Sequence, residues 1–93
     1  MKVTGQKVSS SETTSIKIRW DKVDGVTGYK IYRSTSKNGA YKCVATVSSK
    51  NNSYTNTGLI SGTTYYYKIR AYKNLNNEKL YGDYSKVLKA KTK

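Results

Sequence analysis

The stretch TYYYKIRAY, Thr64 to Tyr72, decides the fold. Its large residues sort by alternation. Tyr65, Tyr67, Ile69 and Ala71 fall on one side, and Tyr66, Lys68, Arg70 and Tyr72 fall on the other. A period of two is that of a β-strand, because successive side chains point to opposite faces of a sheet. The first set suits a buried face and the second a wet one. Outward from this stretch the same period recurs. Ile16, Ile18 and Trp20 alternate with Lys17 and Arg19, and Tyr29 and Ile31 alternate with Lys30 and Tyr32.

Turn chemistry separates these runs. Asp21 to Gly28 (DKVDGVTG) and Ser34 to Gly39 (STSKNG) are rich in Asp, Asn, Ser and Gly, which favour turns. Ala40 to Val47 is apolar enough for a strand, with its register open. Ser53 to Thr55 forms a short strand around Tyr54. Ser85 to Thr92 closes the chain as a strand, with Leu88, Ala90 and Thr92 inward, and Val3 to Val8 opens it. Lys73 to Asp83 (KNLNNEKLYGD) reads as a loop or hairpin tip. No capped helix is evident. Seven short strands with turns between them predict an all-β sandwich, a single domain over residues 1–93.

Composition sets the other bounds. The 93 residues suit one small domain with a thin core. Phe is absent, so ten Tyr and Trp20 supply the large apolar bodies, provided that each buried hydroxyl finds a partner. Net charge is +13, from 18 Lys and Arg against 5 Asp and Glu. Such a balance attracts polyanions in general, and equally it marks a Lys-rich background with no polyanion role. Cys43 is the only cysteine, so no internal disulfide forms; it is expected to be partly buried and inert. No apolar run approaches the roughly 20 residues of a membrane-spanning helix.

Over nearly its whole length the chain resembles a fibronectin type III domain. Trp20, GYKIYR at Gly28–Arg33 and YTNTGLISGTTYYYKIRA at Tyr54–Ala71 carry the resemblance; YSKVLKAKT at Tyr84–Thr92 fits the closing strand. The style is similar to modules of secreted or surface proteins of Gram-positive bacteria. The resemblance implies a seven-stranded immunoglobulin-like sandwich. It makes Tyr65 a tyrosine corner, with a buried ring and a hydroxyl bonded to upstream backbone, and Gly62 the permissive residue beside it. Trp20, Tyr29, Ile31, Leu59, Tyr67 and Ile69 complete the expected core. It also implies a piece of a larger extracellular or cell-surface protein, with neighbouring domains as partners and a monomeric state in isolation. Some animal members bind integrins through Arg-Gly-Asp between the last two strands; that tripeptide is absent here.

Catalysis is not expected. There is no His, and the five carboxylates are Glu12, Asp21, Asp24, Glu78 and Asp83. An acid–base pair needs environments that drive two pKa values apart, which an exposed turn around Asp21 and Asp24 does not offer. Calcium wants about six to eight oxygens, more than that turn supplies. No cofactor, metal or specific nucleic-acid site is expected. The remaining candidate is the outward face. Lys30, Tyr32, Tyr66, Lys68, Arg70, Tyr72, Lys89 and Lys91 come from three strands that adjoin in this fold. One reading is a platform on which rings stack against the sugars or bases of a polymer while Lys and Arg pair with its anions, polysaccharide or anionic cell-wall polymer being the candidates. The other is an ordinary solvated sheet face, with Tyr chosen for β propensity and Lys to block edge pairing.

Overall fold

A computed structural model describes all 93 residues. Eight strands form: β1 (Lys7–Ser11), β2 (Ile16–Arg19), β3 (Gly28–Ser34), β4 (Lys42–Ser48), β5 (Ser53–Asn56), β6 (Thr64–Leu75), β7 (Glu78–Tyr81) and β8 (Leu88–Lys91). One sheet has the order β1-β2-β5. The other runs β4-β3-β6, and both β7 and β8 pair with β6, at opposite ends of its length. All pairings are antiparallel. The two sheets pack as a sandwich around the residues that alternate inward. No helix is long and apolar enough to cross a membrane.

The core follows the alternation. Val3, Ile16, Ile18, Trp20, Val26, Tyr29, Ile31, Leu59, Tyr65, Tyr67, Ile69, Ala71 and Ala90 form one buried cluster. Trp20 meets Tyr29 edge-on, with ring centroids 5.3 Å apart. Each tyrosine hydroxyl of this cluster finds a specific partner. Tyr29 accepts from the Val23 N–H at 2.8 Å. Tyr65 accepts from the Ile60 N–H at 2.9 Å, which is the corner geometry. Gly62, two residues on from Ile60, sits at φ +67°, a left-handed conformation that costs glycine little. Tyr67 donates to Asn56 Oδ1 at 2.7 Å, and Arg33 donates to the same oxygen at 2.9 Å. That shared acceptor ties β5 of one sheet to β3 and β6 of the other. Burial raises the Tyr67 phenol well above the usual range, and Arg33 offsets only part of the effect.

The structure corrects the expected strand count from seven to eight. The stretch expected as a loop or hairpin tip contains paired strand. β6 continues to Leu75, and Asn76 and Asn77 turn the chain at φ 50° and 66°. Two successive positive φ values make a type I′ turn, whose twist matches that of the flanking strands, and Asn tolerates this better than most residues. The closing strand is correspondingly broken in two. β7 covers the far end of β6 and β8 the near end, and Ser85 bridges the gap. Its N–H donates to the Ile69 carbonyl at 2.7 Å, while its Oγ accepts from the Ile69 N–H at 3.0 Å. A side-chain oxygen thus replaces the carbonyl missing from the ladder.

The first strand also shifts. Val3 is buried as an apolar plug, but pairing starts only at Lys7. Between them Gly5 turns at φ +67° beneath the Asp21 carboxylate, in space that a Cβ would fill.

Candidate functional site

The outer face of the larger sheet collects most of the expected residues. Register sets the rows. Tyr32 lies across from Lys68, Lys30 from Arg70, and Gly28 from Tyr72. Tyr66 lies across from Lys89, and Thr64 from Lys91. Lys30, Tyr32, Tyr66, Lys68 and Arg70 are half-buried, whereas Lys89 and Lys91 are exposed at the β8 end and engage none of the rings.

Tyr72 requires a correction. It stands on the outer side, but it is buried at 9% exposure rather than open. Its ring lies over Gly28, where a Cβ would collide with it, and Lys30 and Lys79 cover it at 5.8 and 4.9 Å from the centroid. Lys79 belongs to β7, the strand that the sequence reading missed.

Three further tyrosines join the face. Tyr41 arrives through a bulge. Between Ile31 and Tyr32 the partner steps from Ala45 to Cys43, leaving Val44 as the extra residue. The shifted register carries Tyr41 to Lys68, 4.4 Å from ring centroid to ammonium. Burial, then the neighbouring Tyr66, raises the Tyr41 phenol above its ordinary range, so it stays neutral. Tyr81 comes from β7 and Tyr84 from the break after it. Tyr84 meets Tyr32 edge-on at 5.2 Å. The same bulge leaves Cys43 exposed on the edge strand, which corrects its expected partial burial.

The cations are boxed by these rings. Lys68 Nζ lies 3.9 Å from the Tyr84 centroid as well as 4.4 Å from that of Tyr41. Arg70 lies 3.9 Å from the Tyr81 centroid and 4.8 Å from that of Tyr84. Its Nε and one terminal nitrogen both donate to the Tyr32 hydroxyl, at 3.1 and 2.9 Å. No carboxylate pairs with them; the sole ion pair of the chain is Lys93 with Glu12, at 3.7 Å. The surface hollows lie elsewhere, one beside Val3 and Lys86 and one at the Asn76–Asn77 tip.

Sandwich topology, tyrosine corner and a self-contained aromatic–cation face define an immunoglobulin-like β module. Comparison with known proteins then places it. The family model for "Fibronectin type III domain" matches residues 2–88, and the chain belongs to that family. It is similar to a poly(3-hydroxybutyrate) depolymerase of Ralstonia pickettii, 37% identical over 68 residues, which are 73% of this chain and 12% of the relative. It is also similar to an amylopullulanase of Thermoanaerobacterium saccharolyticum, 33% identical over 76 residues, 82% of this chain and 6% of the relative. The chain therefore spans a small part of the length of these relatives. Among solved structures, an Fn3-like protein from Clostridium thermocellum superposes with a TM-score of 0.78 at 27% identity, covering 98% of this chain and 91% of that one.

Proposed function

We propose that this chain is a non-catalytic spacer within a larger extracellular or cell-surface polypeptide, setting the distance between neighbouring domains. The observation that carries this reading is its share of its relatives: 12% of a depolymerase and 6% of an amylopullulanase. In each of these relatives the matching stretch is a small part of a much longer polypeptide. Both relatives are named for acting on polymers, which supports work outside the cell.

The geometry suits the role. Met1 packs against Gly82, whose N–H bonds to the Ala71 carbonyl in the second half of β6. The Lys93 carbonyl accepts from Gly62, and Thr92 bonds to Thr63, at the other end. Ala71 lies eight positions beyond Thr63 along the chain, about 26 Å at the usual rise of a strand. The two ends of the chain are thus held well apart in a body 44 Å in its longest dimension. Tethered ends of a packed sandwich hold a separation that a flexible linker of equal length samples broadly.

The test places the chain between two fluorescent reporter domains and reads their distance distribution by time-resolved energy transfer. A narrow distribution, unchanged by salt, is expected, against a broad one for a Gly/Ser linker of 93 residues. A broad distribution for the folded chain overturns the reading. So does retention of the isolated chain on granules of starch or poly(3-hydroxybutyrate), since a spacer has no affinity for either neutral polymer.

A further inference from the structure

We propose that Lys68 and Arg70, held between Tyr32, Tyr41, Tyr81 and Tyr84, form a binding site for an anionic polysaccharide, a glycan chain carrying sulfate or phosphate esters. The charges carry this inference more than the rings do. Both cations are half-buried, and neither has a carboxylate within ion-pair distance. Lys68 Nζ makes no hydrogen bond to any protein acceptor; its neighbours are the two ring faces. Arg70 spends two N–H groups on one phenol oxygen, and its other N–H groups have no acceptor in the chain. A cation partly stripped of water and left without an anion is a prepared half of an ion pair. The rings also fix both side chains, so an incoming ester anion orders little that is not already ordered.

Spacing and charge fit a repeating anion. Lys68 and Arg70 are two residues apart on one strand face, about 7 Å along it. Lys30 stands across from Arg70, and Lys89 and Lys91 extend the basic row toward the β8 end. The net charge of +13 steers a polyanion to the molecule, and neither Lys68 nor Arg70 has a carboxylate partner for it to displace.

Ring occupancy sets the ligand class. Tyr72 lies under Lys30 and Lys79, Tyr84 carries both Lys68 and Arg70, and Tyr81 carries Arg70. Sugars or bases seeking these faces compete with cations that the protein supplies itself. Neutral glycans and stacking-dependent single strands are therefore disfavoured, while ester anions meet unsatisfied donors.

The experiment titrates the isotope-labelled chain with dextran sulfate, with uncharged dextran and with a single-stranded oligonucleotide, following amide shifts at about 0.15 M salt, where longer-range attraction is screened. Dextran sulfate is expected to shift Tyr41, Lys68, Arg70 and Tyr84 selectively, and dextran to shift nothing. The paired variants Lys68→Gln with Arg70→Gln should lower dextran sulfate affinity by about tenfold or more, as loss of charge-assisted bonds to an anion does. The control Lys7→Gln with Lys17→Gln removes the same charge from the opposite sheet and should cost no more than about twofold. Equal losses from the two pairs overturn the site and leave only net charge. Diffuse shifts, or oligonucleotide binding as tight as that of dextran sulfate, overturn it as well. The shift map on the unaltered chain decides the matter even if the Arg70 variant fails to fold.

Discussion

The two faces of β6 use the same residue type in opposite ways. On the inner face Tyr65 and Tyr67 are buried, and each hydroxyl has one assigned partner, the Ile60 N–H or Asn56 Oδ1. On the outer face the rings near β6 act through their π surfaces. They hold Lys68 and Arg70 at 3.9 Å, and the Tyr32 hydroxyl serves as acceptor for Arg70. Inside, a tyrosine is an apolar body with a polar tip to satisfy. Outside, it is a weak counter-charge that stands in for an absent carboxylate. Alternation thus makes one run of sequence build both the core that keeps the module folded and the surface that can meet other molecules.

Truncating the corner gives the largest expected effect and tests whether the inner face carries stability. Tyr65→Ala should destabilise by about 3–5 kcal/mol, the cost of removing a large buried aromatic. Tyr65→Phe should cost only about 1 kcal/mol, since the ring stays and one hydrogen bond goes. Chemical denaturation of both variants separates the two contributions. Equal small losses would mean that the corner ring is not packed as described.

Ser85→Ala is next. It deletes the oxygen that accepts from Ile69 and leaves that buried N–H without a partner, at about 1–3 kcal/mol. Hydrogen exchange gives the sharper reading, with the Ile69 amide expected to lose protection well before its neighbours. Unchanged protection would show that a backbone carbonyl closes the gap instead.

The alternation of inner and outer residues was legible in the sequence because it depends only on strand parity. Trp20, Tyr29, Ile31, Tyr65, Tyr67 and Ile69 needed no knowledge of which strand pairs with which. What was not legible depends on register and on irregularities. Leu75, Glu78, Leu80 and Tyr81 are all exposed, so β7 carries no apolar alternation to reveal it, and the Asn76–Asn77 turn was its only signal. Tyr41 and Cys43 owe their positions to an extra residue at Val44, which no local pattern announces. Tyr72 is buried because Lys79 covers it, and Lys79 sits on the missed strand. The face was thus readable along β3 and β6, and unreadable wherever a turn, a bulge or a broken strand delivers the neighbour.

Alkaline titration probes the inner face without truncating it. The folded-state pKa of Tyr67 is raised above its unfolded value, so the fold binds its proton more tightly than the open chain does. Stability from this group is fully present below the unfolded value of about 10 and is lost as pH climbs from there toward the folded value. Tyr67→Phe removes the titrating group. It should cost about 1 kcal/mol at neutral pH through the lost bond to Asn56 and flatten the decline above about pH 10. Melting curves of the two proteins from pH 7 to 11 check the sign. Parallel declines would assign the alkaline loss to other tyrosines.

The smallest expected effect is at the outer face, and its smallness is the point of the comparison. Tyr84→Ala removes the ring shared by Lys68 and Arg70, but Tyr41 still flanks Lys68, and Tyr81 and Tyr32 still hold Arg70. Tyr84 is 37% exposed, so little apolar burial is lost with it. A half-exposed cation–π contact contributes about 0.5–1 kcal/mol, which in a domain of this size lowers the melting temperature by only a few degrees, about 2–8 °C. The same deletion loosens both cations and should therefore weaken dextran sulfate binding by more than its effect on stability suggests. If instead Tyr84→Ala destabilises as much as Tyr65→Ala, the outer rings belong to the structural framework. The distinction between a face that folds the module and a face that is free to bind would then fail.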